Sequence, residues 1–221
     1  TPIPISCFTA TAKKSVVEDI CSYFKERLNI ELVQFISPAK RSNLTYKVVE
    51  SSESQNERRK QLINLLREYA GPKIIYASKV KTTESLAEEL YNRGFASACY
   101  NGKMESEKKM VIQDQFQNEE VDTIVATTAL GMGVDKDNVE LVAHYEISST
   151  LENYVQEAGR AGRNPNLQAS CVALFHPNDL NTSFQILQQS KLSAQEIATV
   201  WRVLKKMAGN HNRLIMSALE I

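Results

Sequence analysis

The amino-acid sequence predicts an α/β fold: a parallel sheet flanked by helices, with a helical extension at the C-terminal end. Three observations carry this. From residue 73 onward, short apolar runs alternate with longer stretches of helical periodicity, the pattern of strands crossed over by helices. Runs such as Lys73–Ala77 and Asp122–Ala126 read as strands buried on both faces, which parallel sheets require. Gly71-Pro72, Gly94 and Asn164-Pro165 stand where helices should stop.

In chain order, Ile3 to Phe8 reads as a strand, Lys13 to Leu28 as a helix with Val16, Val17, Ile20, Phe24 and Leu28 periodic, and Glu31 to Ile36 as a strand. Residues 1–36 are too few to bury a core of their own. Residues 37–43 form a polar linker. Leu44 to Val49 is a strand, and Arg58 to Tyr69 a helix with Leu62, Leu65, Leu66 and Tyr69 along it. Strand Lys73–Ala77, helix Thr82–Arg93 with Thr82 as N-cap, strand Ala96–Tyr100 and helix Glu105–Gln117 follow. Then come strands Asp122–Ala126 and Leu141–Tyr145, helix Thr150–Arg160 and strand Ala169–Phe175. Residues 178–221 read as helical, and Trp201 lies in a periodic apolar stripe whose usual place is a core.

The composition excludes several classes. With 26 Lys+Arg against 26 Asp+Glu the net charge is zero, which argues against a protein that coats nucleic acid but leaves room for a local basic groove. Of the four cysteines, Cys7, Cys21, Cys99 and Cys171, no two have Cys-x-x-Cys spacing, so a zinc ribbon is not expected. Cys7 and Cys99 fall in strands expected to be buried. No run is long and apolar enough for a membrane span. The chain opens on Thr1 without a methionine and closes on an apparently unfinished helix, the expectation being a piece of a longer protein.

The candidate chemistry gathers in a few stretches. In Tyr154–Arg163, Gln156, Arg160 and Arg163 are spaced i, i+4, i+7, so a helix would put them on one face. Two guanidinium groups on one face make a receptor for phosphate oxygens. Gly159 and Gly162 lie between them, where close approach of a backbone or ligand would explain glycine. Thr127-Thr128 and Gly131-Met132-Gly133-Val134-Asp135 follow a strand. Their hydroxyls and glycine N–H groups suit an anion, and Asp135 suits ribose hydroxyls. Asn101-Gly102-Lys103 and Ser78-Lys79 also follow strands, where ligands of open parallel sheets collect. Lys103 there supplies a charge for a phosphate backbone.

Taken in order, these segments resemble the superfamily 2 helicases, and within them the RecQ-like DNA helicases. The resemblance rests on Thr9-Ala-Thr-Ala12 (motif III), Ile74-Ile-Tyr-Ala-Ser78 (motif IV), Tyr100-Asn-Gly-Lys-Met104, Val125 to Asp135 (motif V) and Tyr154 to Arg163 (motif VI). It covers roughly residues 5–176. It implies a two-lobed motor with RecA-like lobes, ATP with Mg²⁺ held mainly by the first lobe, and single-stranded or forked DNA crossing both lobes. On this pattern residues 1–36 are the tail end of the first lobe, 44–177 the second RecA-like lobe and 178–221 a helical extension.

The resemblance implies Arg163 as leading arginine finger, with Arg160 its partner and Gln156 the link to the DNA track. Gly133, Asp135, Arg160 and Arg163 would meet the nucleotide. Ser78, Lys79, Asn101, Gly102, Lys103, Thr127 and Thr128 would meet the DNA backbone. It also implies 3′ to 5′ unwinding, work in DNA repair or recombination, and a cytoplasmic, nucleoid-associated bacterial protein without a membrane. No phosphate loop is present, so this chain alone is expected not to hydrolyse ATP. Two departures stand out: residues 177–221 contain no cysteine for the usual zinc module, and Ser78-Lys79-Val80 replaces the usual Asn-Ser-Arg. Two other readings stay open, a binding module without motor activity and an RNA helicase of the same superfamily.

Overall fold

A computed structural model describes residues 5–9, 14–36, 41–131, 134–181 and 193–208. Its elements are α1 (Lys14–Leu28), β1 (Leu44–Glu50), α2 (Gln55–Arg67), β2 (Lys73–Tyr76), α3 (Val80–Asn92), β3 (Ser97–Tyr100), α4 (Ser106–Gln117), β4 (Thr123–Ala126), β5 (Leu141–His144), α5 (Leu151–Ala158), β6 (Ala169–Phe175) and, after a helical turn at 178–181, α6 (Ala194–Ala208). The strands form one six-stranded sheet in the order β1-β6-β5-β2-β4-β3, and every pair is parallel. The α/β class expected from the sequence is the observed one.

Alternation along the central strands divides the core in two. Ile74, Tyr76, Ile124, Ala126, Val142 and Cys171 face one side with Phe116 of α4 and Ala158 of α5. Ile75, Val125, Leu141, Ala143, Val172 and Leu174 face the other, with Leu62, Ile63 and Leu66 of α2 and Leu86, Ala87 and Leu90 of α3. Because both faces are covered, β2, β4 and β5 are buried at every position, which is why they read as unbroken apolar runs. β1 is an edge strand and buries only Leu44.

Several expectations are corrected. Among the described residues, 5–9 and 29–36 form no strand; Phe8, Phe35 and Ile36 are 94%, 93% and 82% exposed. Their apolar spacing is that of strands, but among the described residues no neighbouring strand supplies the backbone partners a ladder needs. The helix of this region does form, and none of its residues is fully buried. Cys7 is exposed rather than in a buried strand, and Cys99 is only half-buried. Helix α3 starts two residues before Thr82, with Lys79 at the cap position and no side-chain cap. Trp201 is 66% exposed on α6 rather than in a core. The chain divides into two compact units, residues 1–176 and 177–221.

Candidate functional site

The arginine stretch is not one helix. Helix α5 starts at an N-cap in which Thr150 Oγ1 accepts from the Asn153 N–H at 3.1 Å, and it ends at Ala158 with Gly159 as C-cap. Beyond it the chain turns through Gly162, whose φ of 51° lies in the left-handed region. A Cβ there would sit 2.9 Å from both Ala169 Cβ and Asn43 Nδ2, so close approach and backbone conformation together require glycine. The i, i+4, i+7 face is therefore broken. Gln156 stays exposed on α5, Arg160 turns inward to 9% exposure, and Arg163 stands on a loop with 37% of its side chain exposed.

Arg160 and Arg163 have different partners. Arg160 donates to the carbonyl of Val134 at 3.3 Å and to that of Gly131, bridging the loop on either side of residues 132–133. Gly133 itself lies outside the described residues. Arg163 forms an ion pair with Asp135, the residue the sequence assigned to ribose. Both arginines thus bind the loop that leaves β4, one through its carbonyls and one through its acid.

That loop runs the length of the sheet. It starts at the carboxyl end of β4, where Thr127 and Thr128 follow Ala126, and ends at the amino end of β5. There Val139 O accepts from the Gly162 N–H at 2.8 Å and Asp137 O from the Asn164 N–H at 3.0 Å. The arginine loop therefore lies at the amino edge of the sheet. Ser78-Lys79, Asn101-Gly102-Lys103 and Thr127-Thr128 lie at the carboxyl edge, after the adjacent strands β2, β3 and β4.

At the carboxyl edge the candidate residues are unequal. Ser78, Lys79, Gly102, Lys103 and Thr128 are exposed. The Ser78 N–H donates to Glu146 Oε2 at 2.6 Å. Asn101 is 1% exposed, and its Oδ1 accepts from the Lys103 N–H at 3.1 Å, so its side chain shapes the turn that presents Gly102 and Lys103. A Cβ on Gly102 would meet only Ala129 Cβ at 3.8 Å, which leaves its backbone approachable from outside. Thr127 is 9% exposed and its Oγ1 accepts from the Ala129 N–H at 3.3 Å.

Beneath the loops lies a polar network that sequence reasoning missed. His144 Nε2 lies 3.0 Å from Glu157 Oε2, and both residues are buried. Ser148 donates its hydroxyl to the same Glu157 oxygen. The His144 ring stacks on Tyr76 at 5.4 Å and meets Tyr154 at 4.8 Å. Burial pushes the Tyr76 hydroxyl well above its ordinary range, so it stays a neutral donor, and it reaches Leu130 O at 3.3 Å. The signal available was a lone Glu157 on an otherwise cationic stretch, 13 residues after a lone histidine at a strand end.

The linker also holds more than the sequence suggested. Asn43, 5% exposed, donates its side-chain amide to Gly162 O at 2.7 Å, Leu167 O at 2.9 Å and Asn164 O at 3.2 Å. Arg41 donates to Ala161 O at 3.2 Å and to Gly162 O. Among the described residues, no group of three or more His, Cys, Asp or Glu could hold a metal ion, and no helix is long and apolar enough to cross a membrane.

Comparison with known proteins bears on this arrangement. The family described as the helicase conserved C-terminal domain matches residues 57–165. The chain is 33% identical over 217 residues to the protein named "Probable ATP-dependent DNA helicase RecS" of Bacillus subtilis (strain 168), covering 98% of this chain and 43% of that protein. It is 35% identical over 188 residues to the "ATP-dependent DNA helicase RecQ" of the same strain, covering 85% of this chain and 30% of that protein. The chain thus spans less than half the length of these relatives. Among solved structures, the C-terminal domain of the DEAD-box protein Dbp5 superposes with a TM-score of 0.52 at 18% identity, over 65% of this chain and 82% of that one; this shows the fold, a RecA-like sheet. Residues 57–165 are a helicase conserved C-terminal domain, and the chain is homologous to the RecQ-type DNA helicases.

Proposed function

We propose that this chain is the C-terminal motor lobe of an ATP-dependent DNA helicase that unwinds 3′ to 5′. The observation that carries the reading is the loop from Thr127 to Glu140. It has exposed polar residues at one edge of the sheet and holds both arginines on its way to the other. A motor must connect a nucleic-acid contact to a nucleotide contact, and this segment would do so. Single-stranded DNA would run along the carboxyl edge, over Lys79, Gly102, Lys103, Thr128 and the Ser78 N–H, with Asn101 and Thr127 shaping the turns.

ATP with Mg²⁺ would be held mainly by a preceding lobe and would meet this lobe at its amino-edge flank. The half-exposed Arg163 fits a phosphate there: its guanidinium already binds the carboxylate of Asp135, and phosphate oxygens are anionic acceptors that a guanidinium binds in the same forked way. Arg163 would neutralise charge that develops during phosphoryl transfer, the part played by an arginine finger. Arg160, sealed in the fold, would fix the loop; it reaches the nucleotide only if its two carbonyl bonds open. Asp135 would exchange Arg163 for the nucleotide and its ribose. Gln156, exposed on α5, would stand between the two edges.

The test is ATP hydrolysis by the full-length protein, with and without single-stranded DNA, beside Arg163→Ala. DNA should stimulate the wild type, and the variant should lose hydrolysis by about 10³-fold while still binding nucleotide. An unaffected variant, or a wild type without DNA-stimulated hydrolysis, makes this lobe a binding module instead.

A further inference from the structure

Residues 41–43 precede the sheet and belong to no motif singled out from the sequence, yet they make the densest set of contacts to the arginine loop. Asn43 has one side-chain NH₂ group, and three carbonyls of residues 162–167 converge on it within 3.2 Å. Its own backbone carbonyl accepts from the Ala169 N–H at 2.9 Å, at the first rung of the β1–β6 ladder. Arg41 caps Ala161 O and Gly162 O from the other side and bonds Asn43 Oδ1 at 3.3 Å. A Cβ at Gly162 would crowd Asn43 Nδ2 at 2.9 Å.

We infer that Asn43 and Arg41 are positioning residues for Arg163: they fix the loop that aims its guanidinium, and so tie the segment before β1 to the chemistry of the site. The inference rests on the reading of Arg163 given above. Among the described residues, three points of attachment hold the residues around Arg163. Asn43 and Arg41 grip Ala161, Gly162, Asn164 and Leu167, Val139 and Asp137 grip Gly162 and Asn164, and Asp135 holds the side chain itself. Only the first comes from outside the loop that leaves β4. A movement of residues preceding Arg41 would therefore reach Arg163 directly, without passing through the sheet. Fixing a charged group to within a fraction of an ångström is worth a large share of its catalytic effect, since a displacement of about 1 Å can cost about 10²-fold.

The experiment is a double-mutant cycle on the full-length protein, reading DNA-stimulated ATP hydrolysis and nucleotide affinity for Asn43→Ala, Arg41→Ala, Arg163→Ala and each pair with Arg163→Ala. Asn43→Ala is expected to lower kcat by about 10- to 100-fold with little change in nucleotide affinity. Arg41→Ala should lower it less, and Arg41→Lys should recover part of the loss. In the Arg163→Ala background neither substitution should lower kcat further, because a residue acting through Arg163 has nothing left to aim. Should Asn43→Ala fail to fold, Arg41→Ala and Arg41→Lys carry the test. Losses that multiply, or no loss from either substitution while Arg163→Ala is slow, overturn the inference and leave the arginine reading standing. An unimpaired Arg163→Ala overturns both.

Discussion

His144 and Glu157 face each other at 3.0 Å in the interior, one at the carboxyl end of β5 and the other on α5. The His144 ring contacts those of Tyr76 and Tyr154, and Glu157 directly precedes the turn that carries Arg160. The pair locks α5 to the sheet where a purely apolar contact would let the helix slide, because a hydrogen bond between buried groups has one register. Glu157→Ala leaves His144 Nε2 and the Ser148 hydroxyl without that partner, and should cost the sheet domain about 1–3 kcal/mol. Glu157→Gln keeps an acceptor of the same shape and should cost less. Urea unfolding of both variants checks this, and equal losses would mean that the bonding contributes nothing.

Gly162→Ala should be more damaging than its size suggests. The residue must adopt φ 51° and its new methyl would stand 2.9 Å from Asn43 Nδ2 and 3.2 Å from Leu167 O. Left-handed conformation and overpacking together should cost about 2–4 kcal/mol, read from the shift in urea midpoint. A loss of less than about 1 kcal/mol would show that the loop relaxes freely and that the grip of Asn43 is loose.

The pH dependence should include a contribution from Glu89. Burial alone would raise its carboxyl, but hydrogen bonds from Arg59 and Arg93 outweigh burial and hold it below its ordinary value of 4.5. Arg59 on α2 reaches it at 2.6 Å, and Arg93 at 2.9 Å. A carboxyl held low in the folded state adds stability that is fully present above the unfolded value and is lost as pH falls through the folded one. Glu89→Gln should therefore lower stability near neutral pH and flatten the decline as pH falls from neutral through the carboxylate range below 4.5. Urea midpoints across that range decide it: a variant whose midpoint falls in parallel with the wild type removes Glu89 from the acid response.

The strands were the most legible part of this fold. β2, β4 and β5 are covered on both faces, and that burial writes itself into the sequence as unbroken apolar runs. The arginine stretch was legible as chemistry but not as geometry. Spacing alone cannot say where a helix ends, and the i, i+4, i+7 spacing of Gln156, Arg160 and Arg163 runs across the two glycines at which this one stops. Gly159 is the cap, and Gly162 is required by its φ and by Asn43. The apolar residues of 29–36 had strand spacing, but spacing says nothing about a partner, and among the described residues no adjacent strand accepts them. The grip of Asn43 on the arginine loop was invisible for a similar reason: its three acceptors lie about 120 residues away in sequence.

The pairing of β1 with β6 governs when this sheet can finish folding. Leu44 is made about 125 residues before its partner Ala169. At about 5–20 residues per second, a ribosome needs roughly 6–25 s to deliver the partner strand. Through that interval β1 has no ladder, and the backbone groups that will pair with β6 remain open to other chains. Closing so long a loop is entropically costly, which places this pairing late in folding. The same event brings Asn43 to the arginine loop. The rest of the sheet can assemble from nearer neighbours, so the nascent chain should be compact before Asn43 anchors the arginine loop, and that loop is among the last parts of the sheet domain to be fixed.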